Sequence, residues 1–229
     1  MRWFASLAIV LLAACQSPKA EITALERPPT GAALVLMPLD VELYEMAPFG
    51  ALEPRNEWTE NAKQYLGAAL REEAAARQLA IVPYDASAAS PETEARLDQI
   101  QRVHALVGRS ILVHHYILGH DLPTKERRFD WSLGPEVRTL REATDARYAL
   151  FIVIRDSYSG TGRVAVQAAM ALVFLAPVPG GLQTGFASLV DLETGKIVWY
   201  NRLLRDFGDL RTPEAARKTA RAVLEGLPK

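Results

Sequence analysis

Four histidines form the densest group of potential metal ligands in this chain: His104, His114, His115 and His120. Imidazole nitrogen is a common metal ligand, but adjacent residues such as His114 and His115 point about 100° apart on a helix. His104 and His115 share a helix face three turns apart, too far to chelate one ion. No H-E-x-x-H pattern occurs. The spacing favours histidines on a helix face or in the core, so neither a metal nor a cofactor is expected.

A glycine-rich stretch is the second candidate for chemistry. Residues 160–165 read GTGRVA and mimic the G-x-G-x-x-A spacing of a dinucleotide-binding fold. A helix beginning at Arg163 could hold a phosphate at its N-terminus. However, strand-like sequence follows instead of a βαβ unit, and the next acid, Asp191, lies in a predicted hairpin. An exposed loop is the favoured interpretation, and nucleotide binding or an enzyme using residues 160–165 stays as an alternative.

Nucleophilic catalysis finds no support in the sequence. No G-x-S-x-G motif occurs, and no serine, histidine and acid stand at an informative spacing. Paired carboxylates such as Glu72 and Glu73 have the pattern of a solvated helix surface. We therefore predict no catalytic residue and expect that the chain is not an enzyme.

The only cysteine of the chain, Cys15, follows a segment typical of a secretory signal peptide. Arg2 is followed by an apolar run over residues 3–12 and by the small residues Ala13 and Ala14. The run is shorter than the roughly 20 residues that a membrane-spanning helix needs. Because the mature chain has no second thiol, an internal disulfide is excluded, and the core alone must stabilise the fold.

The residues Leu12-Ala13-Ala14-Cys15 resemble the lipobox of bacterial lipoproteins. The resemblance implies that residues 1–14 are removed, that the Cys15 thiol carries diacylglycerol, and that the new amino group is often acylated too. One acyl chain binds a membrane only marginally, whereas two or three anchor a protein stably. Gln16 in place of aspartate implies the outer membrane, facing the periplasm. The alternative is a plain secretory peptide with an incidental cysteine.

Composition and charge limit the classes of partner. Residues 15–30 are polar, end in Arg-Pro-Pro-Thr and are predicted to be a flexible tether, about 50 Å long when extended. Residues 31–229 follow as one domain. The net charge is −1 and the two signs are mixed along the chain, so there is no basic stripe for nucleic acid.

Strand patterns occur in both halves of this domain. Short apolar runs at 31–40 and 80–83 predict two strands, separated by a loop that includes 48–54. The run YALFIVI at 148–154 predicts a strand buried on both faces, followed by a turn at 157–162. Residues 184–191 and 196–201 predict a β-hairpin with Gly195 in the turn, where Asp191 and Thr194 are expected to hydrogen-bond local backbone.

Helix patterns alternate with these strands. A first helix is predicted from Asn56, with an apolar stripe of Trp58, Ala62, Tyr65, Leu66, Ala69 and Ala76. Ser90-Pro91-Glu92 predicts the start of a second helix, which is expected to stop at Gly119 and to bury Ile100, Val103, Val107, Ile111 and Leu118. A short helix is predicted at 135–144. A last helix is predicted after the capping residue Thr212, with Ala216, Ala220, Val223 and Leu227 on one face. The order predicts an α/β fold: a mixed sheet with a C-terminal antiparallel hairpin, packed by helices in a single domain.

The segment 163–176 is the most ambiguous. Its large apolar residues, which fall at even positions, are Val164, Val166, Met170, Leu172 and Phe174. A period of two is typical of a strand, and a strand of this length could cross a membrane, whereas a helix could not. The alanines at 168, 169 and 171 keep the helix interpretation open. An ordinary core strand, a buried helix and a membrane hairpin are all compatible with the pattern.

With its lipobox, proline-bearing tether and late hairpin ASLVDLETGKIVWYNR, the chain resembles a broad class of periplasmic lipoproteins. The class includes the lipoprotein of the curli-secretion channel, the lipoprotein activators of penicillin-binding proteins, and relatives of the TolB amino-terminal domain. A hairpin motif that recurs in this class matches Val190, Asp191, Thr194, Gly195 and Trp199 of this chain. The long predicted helix after Ser90 departs from the minimal domain of that class.

Members of that class are mostly non-enzymatic, so the resemblance implies an accessory, assembly or scaffold factor of the cell envelope that contacts an envelope protein. The curli channel inserts strand hairpins into the outer membrane from an oligomeric ring. The alternative function is therefore an oligomeric pore or secretion component that uses residues 163–176.

Overall fold

The structure is a computed structural model that describes residues 21–22, 34–47, 51–85, 87, 89–160, 181–205 and 209–227. Its strands are β1 (Glu21–Ile22), β2 (Leu34–Leu36), β3 (Asp40–Met46), β4 (Leu52–Pro54), β5 (Ile81–Pro83), β6 (Tyr148–Ser159), β7 (Gly181–Asp191) and β8 (Ile197–Arg205). Its helices are α1 (Asn56–Ala76), α2 (Pro91–Tyr116), α3 (Arg138–Thr144) and α4 (Pro213–Val223). Short 3-10 turns lie at Pro123–Lys125 and Pro135–Val137.

The strands form one mixed sheet in the order β1-β8-β7-β6-β2-β5. β6 pairs in parallel with β2 and, further along, with β3, which in turn pairs with β4. The β6–β7 and β7–β8 pairs are antiparallel, so the C-terminal half is a meander. The α/β fold class predicted from the sequence is confirmed.

β2 and β3 are two parts of one strand interrupted by a bulge. Leu36 pairs with Leu150 and Asp40 pairs with Val153, so three residues, 37–39, lie opposite two. Pro38 stands in the bulge, where its missing N–H removes no ladder hydrogen bond. The bulge was not predicted, and it carries the strand on to Met46, past the predicted end at Asp40.

Helices cover both faces of the sheet. On one face, α1 and α4 pack over the odd-numbered residues of β7 and the even-numbered residues of β6, with Leu66, Ile152 and Trp199 at the centre. On the other face, α2 and α3 pack over the alternate residues, with Ile111, Phe151 and Tyr200 at the centre. β6 is buried on both faces, as predicted, because it lies between two helical layers.

Four sequence predictions about local structure are wrong. The tether predicted over 15–30 includes strand β1, because Glu21 and Ile22 pair with Tyr200 and Trp199 of β8. The expected loop over 48–54 includes a strand, β4, whose residues are all exposed. The turn expected at 157–162 begins later, because β6 continues to Ser159 and the Ser157 hydroxyl exchanges hydrogen bonds with the Leu182 backbone at 3.2 Å. The second helix ends at Tyr116, three residues before Gly119, which has φ of +83°.

Candidate protein-contact surface

The inward face of α2 is set by two residues that are not aliphatic. Its buried residues are Leu97, Ile100, His104, Gly108 and Ile111. At Gly108 the helix touches the sheet: an added Cβ would lie 2.0 Å from Cε2 of Phe186. The Tyr200 hydroxyl donates to the Gly108 carbonyl at 3.0 Å. The helix therefore approaches β7 and β8 more closely than any side chain at position 108 would permit.

His104 lies in the core between two aromatic rings, as one of the two sequence interpretations expected. Its ring stacks on Phe151 with centroids 4.6 Å apart and tilts against Phe186 at 5.5 Å. Nε2 lies 3.0 Å from the hydroxyl oxygen of Ser188. Burial lowers the pKa of His104 to about 3, because a charged imidazole would lose its hydration there. The imidazole is thus a neutral core group.

The outward face of α2 and its C-cap residue Ile117 carry exposed apolar side chains, which we call the α2 stripe: Val103, Leu106, Val113 and Ile117. Their exposed fractions are 40%, 63%, 37% and 49%. The sequence prediction had placed Val103 in the core, and this is wrong because Gly108 and His104 occupy the inward side instead. Leu118, also predicted to be buried, is 89% exposed beyond the end of the helix.

Beside the α2 stripe, none of the helices that the structure describes covers one end of the sheet. Leu182 on β7, Leu204 on β8 and Leu52 on β4 are exposed there. A cavity of about 390 Å³ lies in this region and is lined by Leu52, Leu182 and Arg109 among others. Arg109 projects from α2 and joins the stripe to the sheet end. Apart from Leu52 and Leu182, the cavity is lined by polar and charged residues. The exposed apolar side chains of α2 and of the sheet end therefore lie beside a polar cavity, and such a concentration of exposed apolar residues marks protein contacts.

Charged side chains at the rim of this cavity are mostly paired. Arg155 contacts Asp40 at 2.8 Å and Glu42 at 3.1 Å, and the Tyr44 hydroxyl donates to Glu42. The hydrogen bond to Glu42 raises the pKa of Tyr44, since an ionised phenol could not donate it. Within the part of the chain that the structure describes, Arg109 is in no ion pair. It is therefore the cation of this rim that is available to a partner.

A separate polar junction lies under α4, on the opposite face of the sheet. Asp156 is 1% exposed, and its Oδ2 accepts from the Tyr158 hydroxyl and from Gln183 Nε2, the latter at 2.7 Å. The Leu210 N–H donates to the Tyr158 oxygen at 2.6 Å, and Thr219 donates to Gln183 at 3.0 Å. These hydrogen bonds join α4 and the residues before it to β6 and β7. Among the described residues, Asp156 Oδ1 has no partner.

Asp156→Asn is expected to change how stability depends on pH. Burial raises the pKa of Asp156 despite the hydrogen bonds that lower it. A carboxyl with a raised folded pKa holds its proton more tightly when folded, so its contribution to stability falls as pH rises above about 4. The Asp156→Asn variant has no carboxyl group at this position, so its stability does not decline with pH for this reason. In urea unfolding between pH 4 and 8, the stability of wild type relative to the variant should therefore decline with pH; the exposed Glu72→Gln is the control. Parallel curves for wild type and Asp156→Asn would contradict this assignment.

The hairpin turn was predicted correctly in its detail. Asp191 Oδ1 accepts from the backbone N–H of Glu193 at 2.8 Å and of Thr194 at 3.0 Å. Gly195 has φ of +74°, and a Cβ there would lie 2.2 Å from the Gly134 carbonyl oxygen. The Asp-x-x-Thr-Gly pattern is therefore structural in this chain.

Most of the residues singled out for function lie outside the described residues. These include Cys15, loop residues 161–165 and the apolar positions Val164, Val166, Met170, Leu172 and Phe174. Gly160 is described, and its N–H donates to the Met46 carbonyl at 3.1 Å. The lipidation, nucleotide and membrane-hairpin predictions therefore stay predictions.

Within the described ranges, no cluster of three or more His, Cys, Asp or Glu residues is arranged to hold a metal ion. His104 is in the core, and His114 Nδ1 lies 2.7 Å from the His120 carbonyl oxygen. None of the helices described has the length and apolar character required to span a bilayer.

Comparison with protein-family models gives no match, and comparison with curated proteins gives none either. Similar solved structures include a PelC dodecamer from Paraburkholderia phytofirmans, with 12% identity over 92% of this chain and 96% of that chain and a TM-score of 0.42. Lipoprotein GNA1162 from Neisseria meningitidis has 12% identity over 86% of this chain and 99% of that one, with a TM-score of 0.32. The LpoB C-terminal domain from Salmonella enterica has 16% identity over 77% and 83%, with a TM-score of 0.26. These proteins match the class that the sequence resembles.

Proposed function

We propose that the chain is a lipid-anchored, non-enzymatic accessory or assembly factor of the bacterial envelope that acts through protein–protein contacts. Acylated Cys15 attaches it to the outer membrane, facing the periplasm, and residues 16–20 link the anchor to β1. The observation that carries the proposal is the surface made by the α2 stripe and the open end of the sheet. It holds most of the large apolar side chains that are exposed among the described residues, and such a concentration is typical of a contact site.

The anchor lies close to the folded domain along the chain. Glu21 and Ile22 pair with β8, so residues 16–20 alone separate Cys15 from the sheet, and they reach about 17 Å when extended. The α2 stripe and the open sheet end lie on the same face, so one partner could cover both. A docked partner would remove apolar surface from water at about 25 cal/mol per Å².

The anchor is tested by replacing Cys15 with serine in the native cells. Wild type is expected in the outer-membrane fraction, with residues 1–14 removed and the mass of acyl chains on Cys15. Cys15→Ser should lose that mass and the outer-membrane position, because serine cannot form the thioether. Mass spectrometry of the N-terminal peptide and membrane fractionation measure both. A processed Cys15→Ser protein with wild-type location would show that the lipobox assignment is wrong.

The second candidate, an oligomeric pore built from residues 163–176, is favoured by one observation. Tyr158 pairs with Gly181 in the antiparallel β6–β7 ladder, so both ends of the intervening segment leave the sheet side by side. That is how the ends of a strand hairpin would emerge. A version carrying a cleavable secretory signal in place of residues 1–15 separates the candidates. Release into the soluble periplasm supports the anchored factor, whereas retention through a carbonate wash supports the pore.

A further inference from the structure

The exposed apolar residues of α2 have part of the spacing of a coiled-coil seam. Val103, Leu106, the half-exposed Ser110 and Val113 are separated by steps of three, four and three. Ile117, four residues further on, is the C-cap residue and has an extended backbone. The alternation of steps places the first four residues on one line along the helix, in the arrangement that packs against another helix. The helical part of the line, from Val103 to Val113, extends over about 15 Å, at roughly 1.5 Å per residue. A helix of about three turns would cover it.

The core does not use this line. At about 100° per residue, its centre lies roughly 140° around the helix from the centre of the buried face. The buried face already has its partners in β6, β7 and β8 through His104, Gly108 and Ile111. Of the residues that the structure describes, none lies over Leu106, which is 63% exposed.

Basic side chains flank the line on one side. Arg102 and Arg109 are both exposed and stand seven residues apart, so they occupy equivalent positions beside the seam. Neither is in an ion pair within the described ranges. Most other arginines of the described surface do have carboxylate partners, such as Arg96 with Glu92 and Arg127 with Asp121. The flank is thus positive and unneutralised.

This charge argues against a second copy of the chain as the occupant. In an antiparallel pair of α2 helices, Arg102 of one copy would lie near Arg109 of the other, and like charges repel. In a parallel pair, the positions facing Arg102 and Arg109 are Val107 and His114, neither of which is acidic. A complementary partner therefore has to supply carboxylates.

We propose that the α2 stripe binds an amphipathic helix of a partner protein, one with aspartate or glutamate beside its apolar seam. The proposal deepens the function proposed above and rests on it. Apolar contact supplies the affinity, and Arg102 and Arg109 select the acidic partner and its register.

Two synthetic peptides test the proposal on the lipidated, full-length protein in detergent. Both have four heptads with leucine in the seam; one has glutamate and the other lysine at the flanking positions. Like charges keep each peptide from pairing with itself. In fluorescence anisotropy at low salt, the glutamate peptide should bind about tenfold more tightly than the lysine peptide, and salt should reduce that ratio.

Variants identify the surface. Leu106→Glu should abolish binding of the glutamate peptide, and a double change of Arg102 and Arg109 to glutamate should reverse the preference toward the lysine peptide. Val82→Glu is the matched control, because Val82 is 55% exposed on β5 and lines a different cavity, with Ala143 and Thr144. Circular dichroism confirms that each variant is folded.

Three results would overturn the proposal: no binding of either peptide, equal binding of both, or binding that Leu106→Glu leaves intact. Self-association of the wild-type protein that Leu106→Glu removes, measured by analytical ultracentrifugation, would also overturn it by assigning the stripe to a second copy. If the peptides fail while Cys15→Ser loses the outer membrane as expected, the anchored role survives and this inference alone falls. If the peptides bind but Cys15→Ser behaves like wild type, the anchored role falls instead.

Discussion

Gly108→Ala is expected to lower the free energy of unfolding by about 2–3 kcal/mol, the cost of overpacking a filled core. The new methyl group would lie 2.0–2.7 Å from three ring atoms of Phe186. That ring cannot move aside easily, because it is 2% exposed and stacks on Tyr200 with centroids 5.6 Å apart. Helix propensity alone would give the opposite sign, since alanine is better than glycine by about 1 kcal/mol in a helix interior.

Gly67→Ala in α1 provides the matched control. A Cβ at Gly67 would meet nothing closer than 3.8 Å, so the propensity gain should appear there as an increase in stability. Urea unfolding followed by circular dichroism measures both variants. Adding Phe186→Leu to Gly108→Ala should recover part of the loss, because the smaller side chain makes room for the methyl group. If Gly108→Ala is as stable as wild type, the close approach of α2 to β7 is not rigid.

Loss of this contact would also reach the surface of α2. The helix carries the α2 stripe on its far side, so a shift of α2 away from β7 moves Leu106 and Arg109 relative to Leu182. Gly108 therefore connects core packing with the geometry of the proposed contact surface.

The sequence predicts some elements well because their patterns have a single interpretation. Every residue of the apolar face predicted for the last helix is buried, including Leu227, which follows the end of α4 at Val223. Thr212 caps the helix by accepting from the Ala215 N–H at 3.4 Å. The hairpin at Gly195 is equally local, since its turn residues hydrogen-bond within a few positions. Both elements are determined by interactions between residues that are close in the sequence, and such interactions can be predicted from a single sequence.

The face of α2 could not be predicted in the same way because the helix carries two apolar lines. Val103, Val113 and Ile117 are as hydrophobic as the residues that are buried. Contacts with residues distant in the sequence determine which line of α2 is buried. Phe186 and Tyr200 contact the helix at Gly108, and the Ser188 hydroxyl lies within hydrogen-bond distance of the His104 imidazole. The contact surface was missed for the same reason, although the heptad spacing of the α2 stripe is present in the sequence. The bulge at Pro38 likewise depends on a pairing with β6, more than 100 residues away.

His104 should make the folded domain sensitive to acid. Its pKa is lowered to about 3 by burial, against about 6.5 when unfolded. Unfolding below pH 6.5 therefore takes up a proton, and stability falls by about 1.4 kcal/mol per pH unit until pH approaches the folded value. Between pH 7 and pH 5 the expected loss from this one residue is about 2 kcal/mol. The contribution of Asp156 has the opposite sign, since its raised pKa favours the fold as pH falls.

The double variant His104→Phe, Ser188→Ala isolates the effect. Phenylalanine keeps the stacking on Phe151 and Phe186, and alanine removes the serine hydroxyl that would otherwise be buried without a partner. Asp156 and the other histidines are the same in both proteins, so the stability of wild type relative to the variant should fall by about 2 kcal/mol from pH 7 to pH 5. His120→Gln, at an exposed position, should not reproduce this change. NMR gives the direct test, because the His104 ring signals should stay those of a neutral imidazole down to pH 5. A midpoint near pH 6.5 for His104 in the folded protein would mean that water reaches the ring, and that α2 does not seal this face of the sheet.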